Sequence, residues 1–483
     1  MTGIPSRIPA LNPRWLVWGL ALLLAAGAIL LSASGAQAAA KRGAVLVKDI
    51  WPGRSGSTKG PASPGNYVGG ELTNVRGTLF FSAEDGKHGF ELWRSDGTRR
   101  GTRMVRDINP GAGSSEIELG SPVSGTVYFE ADDGIHGREL WRSDGTKRGT
   151  RMVKDINPGA GSSSVSCCID VGGTLFFTVA SPDEALAGLW RTDGTGAGTS
   201  RVKQVYGTGG AVGLKGTLYF LGDDVLFDHG GAEGLWRSDG TEAGTVLVKQ
   251  LSACSCWMTG VNGTLYFLGE DGALWRSDGT EAGTTIVKDV SPPGAGSYSP
   301  CCFTRLTVLK GILYFTSTSS VRLGNDELWR SDGTAAGTIL VKRIRVGTAF
   351  TLDPLVVMGS RLYFSTDGGL WRSNGTAQGT TLVTRNRRGG FFYTAGLTAA
   401  KGTLYFVATD KRYGKEVWRS DGTRRGTRLV RNIGRGAGSS QPQNLTAVGR
   451  SLFFTAKAGR HGRELWRAGP RPCKPAKGKC KRG

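Results

Sequence analysis

The chain has 483 residues, with 61 lysines and arginines against 39 aspartates and glutamates, a formal net charge of +22 and 77 glycines. The glycines follow no collagen-type triplet, and the 39% hydrophobic content falls in short bursts rather than helical stripes. The charge favours an anionic partner or surface but does not name the anion.

Residues 1–40 read as a signal peptide. Arg7 and Arg14 precede an apolar run from Leu16 to Leu31, and Ala36-Gln37-Ala38 has the small-x-small form of a cleavage site. The run is shorter than the ~20 residues that span a bilayer, which argues against a stable membrane span after cleavage. The sequence thus predicts a protein that is secreted, extracellular or at the cell surface, and monomeric.

From residue 43 to 467 one unit of roughly 47 residues recurs. Residues 104–150 serve as the specimen. Met104-Val105-Arg106-Asp107-Ile108 reads as a short strand, ended by the turn-rich Asn109-Pro110-Gly111-Ala112-Gly113-Ser114-Ser115. A weaker strand near Ile117–Val123 follows, then a Ser-Gly turn, Thr126-Val127-Tyr128-Phe129, a loop through His136, and Glu139-Leu140-Trp141-Arg142. Asp144-Gly145 turns the chain into the next unit. Four short strands per unit, repeated about nine times, predict an all-β fold, a β-propeller of about nine four-stranded blades. The alternative is two smaller propellers in tandem.

The two ends of the array are complementary. The unit at Trp466 lacks its Asp-Gly-Thr turn and fourth strand, whereas Val45-Leu46-Val47-Lys48-Asp49-Ile50 at the start matches that missing strand. The N-terminal strand is therefore expected to complete the last blade and close the ring. Residues 468–483 form a basic tail containing Cys473 and Cys480. With Cys167, Cys168, Cys254, Cys256, Cys301 and Cys302 they make eight cysteines, an even count that on an exported chain favours disulfides. The spacing lacks the paired Cys-x-x-Cys of a zinc site.

Four features could carry chemistry. The first is the repeated motif, with Trp93, Asp96 and Gly97, Trp141, Asp144 and Gly145, Trp329, Asp332 and Gly333, and Trp418, Asp421 and Gly422 as examples. Asp-Gly is a turn signal, Leu92 and Trp93 should face opposite neighbours, and Thr98 and Thr102 suit the following strand, so the motif reads as structural. One Asp per turn falls far short of the six to eight oxygens calcium requires. The second is the histidines His88, His136 and His461, which occupy equivalent loops and read as loop-fixing; no metal site is assigned. The third is the pair of residues after Asp-Gly-Thr: Arg99-Arg100, Lys147-Arg148 and Arg424-Arg425 in units one, two and eight, against Gly196-Ala197, Glu242-Ala243, Glu281-Ala282, Ala335-Ala336 and Ala377-Gln378 between them. In a closed ring these basic pairs flank the seam as a positive arc facing an anionic polymer. The fourth is the glycine-rich loops, which lack the Gly-Lys-Ser/Thr of a phosphate cradle. No Gly-x-Ser-x-Gly or His-Glu-x-x-His motif occurs, and no cofactor is implied.

The run Glu-Leu-Trp-x-x-Asp-Gly-Thr-x-x-Gly-Thr, intact at residues 91–102, 139–150 and 327–338, resembles the defining motif of the ELWxxDGT repeat family of bacterial exported proteins. It is altered to Gly-Leu-Trp or Ala-Leu-Trp at Trp190, Trp236, Trp275 and Trp371, to Glu-Val-Trp at Trp418, and carries Asn374 for Asp at one site. The resemblance implies a secreted protein with propeller-like blades and brings no enzymatic activity. The expected function is a non-catalytic binding scaffold outside the cell, its partner an anionic polysaccharide, a wall polymer or extracellular nucleic acid. The alternative is a propeller lyase or hydrolase acting on an acidic polysaccharide.

Overall fold

A computed structural model describes residues 43–52, 71–181, 183–223, 233–251, 258–269, 272–290, 306–318, 325–345, 354–366, 369–385 and 391–470. They form nine four-stranded antiparallel sheets arranged as a β-propeller. Among the described residues there is no α-helix, only a single 3₁₀ turn, Gly459–His461. Blade one consists of Thr73–Val75, Thr78–Ala83, Glu91–Ser95 and Arg103–Arg106, and the later blades repeat this order.

Blade nine alone takes strands from both ends of the chain. Gln443–Val448, Ser451–Lys457 and Arg463–Ala468 are its first three strands, and Val45–Lys48 pairs antiparallel with the third, Leu46 opposite Trp466. The Asn74 side-chain amide donates to the Ala447 carbonyl (3.2 Å) and the Thr446 hydroxyl to the Leu72 carbonyl (3.1 Å), which ties the first strands of blades one and nine together. First strands of neighbouring blades touch one another at most of the junctions and so line the axis.

The core is divided into nine clusters, one at each blade interface. Between blades one and two, Val75, Phe80, Leu92, Val105 and Ile108 meet Leu119, Val127, Phe129, Ala131 and Trp141. Period-two alternation sends Leu92 forward and Trp93 backward; Trp93 packs with Val47, Ile50, Val448 and Leu465 of blade nine. An open row of nine blades would have eight such interfaces, and two tandem rings would each join their own first and last blades. Instead the clusters join every consecutive pair of blades and blade nine to blade one, which closes a single ring.

Two recurring contacts carry polar groups across these interfaces. In every blade but the seventh, where Thr384 stands at the position, a Lys or Arg at or just after the fourth strand reaches the next blade. Lys48 Nζ donates to the Thr102 carbonyl at 3.0 Å and lies 5.1 Å from the Trp93 ring centre, and Arg106 treats Thr150 and Trp141 in the same way. The motif arginine does the same at the rim, with Arg94 Nη1 donating to the Gly145 carbonyl at 2.6 Å. A register shift between Leu92 and Trp93 against the fourth strand puts Val105 in the bulge, and Val105 is buried in the core between blades one and two. Much of the chain's positive charge is thus committed to holding blades together.

Candidate functional site: the turn face at the seam

Strands alternate in direction, so the turns between first and second strands and between third and fourth strands emerge on one face. The opposite face carries the second-to-third loops and the connections between blades. The repeated motif builds the outer turns of the first face. Asp96 Oδ1 accepts from the Thr98 amide (3.0 Å) and hydroxyl (2.7 Å), and the Thr98 hydroxyl accepts from the Gly101 amide (2.9 Å). The Thr102 hydroxyl donates to the Thr98 carbonyl and meets the Ser95 hydroxyl, which in turn accepts from the Gly97 amide. The two threonines are therefore turn locks; neither belongs to the strand that begins at Arg103, because their hydroxyls are fully engaged with the turn backbone. The same network recurs around Asp144, Asp332 and Asp421. Asn374 reproduces it with its amide oxygen, 3.0 Å from the Thr376 amide. Hydrogen bonds from the Thr195 hydroxyl and amide hold the exposed Asp193 carboxyl below its ordinary range. Each motif carboxylate serves its own turn, and among the described residues no cluster has the geometry of a calcium loop.

The sequence singled out Arg99, Arg100, Lys147, Arg148, Arg424 and Arg425, and all six are exposed at these outer turns, in blades one, two and eight. Ring closure makes blades eight, nine, one and two consecutive. Blade nine has no such turn; its third strand ends at Ala468, and the tail beyond Pro470, with Cys473 and Cys480, lies outside the described residues. Across the ring, blades four and five present exposed Asp239, Glu242, Asp278 and Glu281 at the equivalent positions. The rim is therefore polarised, positive at the seam and negative opposite it.

The opposite face carries buried carboxylates that the sequence reading passed over. Glu91 accepts from the Ile108 amide (2.8 Å), the Asn109 amide (3.3 Å) and the Ser115 hydroxyl (2.5 Å). Burial pushes its carboxyl up to about 7 against these hydrogen bonds. Glu139 and Glu416 make the same clamp on Ile156 and Asn157 and on Ile433, Gly434 and Ser440, and burial raises both. In blade nine Glu464 reaches the Ile50 and Trp51 amides across the seam. The readable signal was the coincidence of Glu before Leu-Trp or Val-Trp with a Gly-Ser-Ser loop 22–24 residues later, in units one, two and eight. Blade six has the Glu without that loop, and there Glu327 accepts from Arg343 Nε at 2.7 Å instead.

The three histidines do not converge. His88 and His136 face Asp85 and Asp133 of their own loops at 3.1 and 2.9 Å, and His461 faces Asp49 of the N-terminal segment at 2.8 Å. No three His, Cys, Asp or Glu side chains among the described residues come together as a metal site. Cys254, Cys256, Cys301 and Cys302 lie outside the described residues. Cys167 and Cys168 fall in the strand Val165–Val171, but their side chains are outside the description.

These features define a class, the closed nine-bladed β-propeller. No family model matches the chain, and no curated protein matches it. Among solved structures it is similar to BamB from Moraxella catarrhalis (14% identity, 70% of this chain and 93% of that one, TM-score 0.40). It is also similar to the computationally designed Ika8 protein (12%, 87% and 99%, TM-score 0.41) and to an oligogalacturonate lyase in complex with manganese (13%, 83% and 88%, TM-score 0.39). Hydrolases and a lyase thus stand among the structural neighbours, and at these identities the likeness concerns the fold alone.

Proposed function

We propose that this propeller is a non-catalytic binding scaffold, acting outside the cell, that holds an anionic polymer on its turn face at the seam. One observation carries the reading: Arg99, Arg100, Lys147, Arg148, Arg424 and Arg425 are exposed on one face of blades flanking the seam, and the remaining blades place neutral or acidic residues there. Each basic pair outnumbers the single motif Asp beside it, so these turns keep a net positive charge toward solvent. The signal-like N-terminus of the sequence supports the extracellular setting.

Retention on immobilised polyanions at two salt concentrations tests the proposal. The intact protein should be held at low salt and released as salt rises, with log K falling linearly in log salt. Replacing the six residues by alanine should abolish most of that retention. A variant retained as strongly as the parent would refute it.

A further inference from the structure

The geometry points to a second, inner anion-binding row at the mouth of the axis, formed by Arg76, Lys215, Lys310 and Lys401. It rests on the reading of the turn face as a polyanion-binding face, and it adds residues and a ligand class which that reading does not contain.

All nine turns between first and second strands are two residues long, and they stand on the strands that line the axis. Seven have both residues at positive φ, the geometry that matches the twist of a tight hairpin and that favours Asn or Gly at the first position. Blade five obeys the preference with Asn262, and blade three with Gly172. Blades one, four, six and eight place Arg76 (φ 47°), Lys215 (52°), Lys310 (54°) and Lys401 (37°) there instead. A long cationic side chain in the left-handed region carries backbone strain that Asn or Gly would avoid, and such strain recurs at binding sites. All four are exposed, and among the described residues none makes an ion pair or hydrogen bond that would explain its placement.

Two of the side chains are seen to run along the ring from blade to blade. A Cβ added to Gly125 would fall 3.0 Å from the Arg76 guanidinium carbon, and one added to Gly263 would fall 2.5 Å from Lys215 Nζ. Arg450 occupies the second position of the blade-nine turn and extends the row between blades eight and one. At the seam, inner Lys401, Arg450 and Arg76 therefore stand axially of outer Arg424, Arg425, Arg99 and Arg100. Two concentric rows of cations suit a linear polymer lying from rim to axis.

The ligand class follows from what is absent as well. Base-stacking proteins present exposed aromatic platforms. Among the residues whose burial is described, the exposed large hydrophobic side chains are Ile135, Ile286, Val308 and Ile339, and no Trp, Tyr or Phe is exposed. With no stacking surface among those residues, recognition there runs by charge, which favours an anionic polysaccharide over single-stranded nucleic acid.

The test uses the intact protein and three probes: a polyuronate, a poly(glycerol phosphate) and a 20-nucleotide DNA strand. The inner variant Arg76→Asn, Lys215→Asn, Lys310→Asn, Lys401→Asn adopts the residue that blade five already carries, so its melting temperature should hold or rise. It should bind the glycopolymers at least tenfold more weakly, with a salt slope shallower by roughly 3, as expected for four lost cations at ~0.7 counterion each. An inner variant with unchanged affinity and slope, beside an outer alanine variant that has lost both, overturns the inner row and leaves the rim site standing. If both variants bind like the parent, the rim reading fails as well. DNA bound more tightly than either glycopolymer overturns the ligand class, and the better of the two glycopolymers distinguishes carboxylate from phosphate as the anion.

Discussion

At the scale of single residues, each conserved-looking letter of the repeated motif answers to one contact. Gly101 shows this most plainly. A Cβ there would stand 1.9 Å from Asp96 Oδ1, so space rather than backbone conformation demands glycine. Gly101→Ala should cost about 1–3 kcal/mol through overpacking, measured by denaturant unfolding. Asp96→Asn should cost far less, because Asn374 already closes the same turn in blade seven. The buried glutamates give a pH signature. Glu91, Glu139 and Glu416 all have folded-state carboxyls raised above the unfolded value, so the stability they contribute is complete below about pH 4.5. It is lost as pH rises through the folded value, about 7 for Glu91, a change on the order of 3 kcal/mol at that site. Melting temperature of the parent, relative to the triple variant Glu91→Gln, Glu139→Gln, Glu416→Gln, should fall between pH 4.5 and 8; parallel profiles would show that the carboxyls stay ionised. The turn role of Asp96 and Gly97 was legible from the sequence, since Asp-Gly acts within four residues. The roles of Glu91 and Lys48 were not, because their partners lie in a loop 17 to 24 residues on and in another blade.

At the scale of elements, the N-terminal strand decides whether nine blades make a ring. Val45–Lys48 covers the edge of Arg463–Ala468, Glu464 fixes Ile50 and Trp51, and His461 meets Asp49. Arg431 Nη1 donates to the Ala44 carbonyl from blade eight, and Val47 and Ile50 fill the core toward blade one. Deleting residues 43–50 should leave an unpaired strand edge and an opened cluster, seen as a lower melting temperature and concentration-dependent association in sedimentation. A deletion variant that stays monomeric at the parent's melting temperature would show that closure contributes little. This strand was readable because Val45-Leu46-Val47-Lys48 matches the Val-Lys-type run after the eight Trp motifs that precede Trp466. The bulge that buries Val105 was not, since strict alternation predicts strand faces and gives no sign of an extra residue.

At the scale of the whole molecule, closure converts a periodic sequence into an object with two unlike halves. Basic turns that are hundreds of residues apart in the chain become neighbours across blade nine, and acidic turns of blades four and five are carried to the far side. The fold and the placement of these pairs were legible in the period and the complementary ends. The inner row was less so, because Arg76-Gly77 and Lys215-Gly216 read simply as turns until the first strands are known to line the axis. The most direct test of the polarised face is backbone hydrogen exchange of the intact protein with and without a bound polyuronate. Binding at the seam predicts slowed exchange at residues 96–102, 144–150, 421–427 and 449–450, and none at 239–245 or 278–284. Protection spread evenly over all the turns, or confined to the opposite face around Glu91 and Glu139, would contradict it.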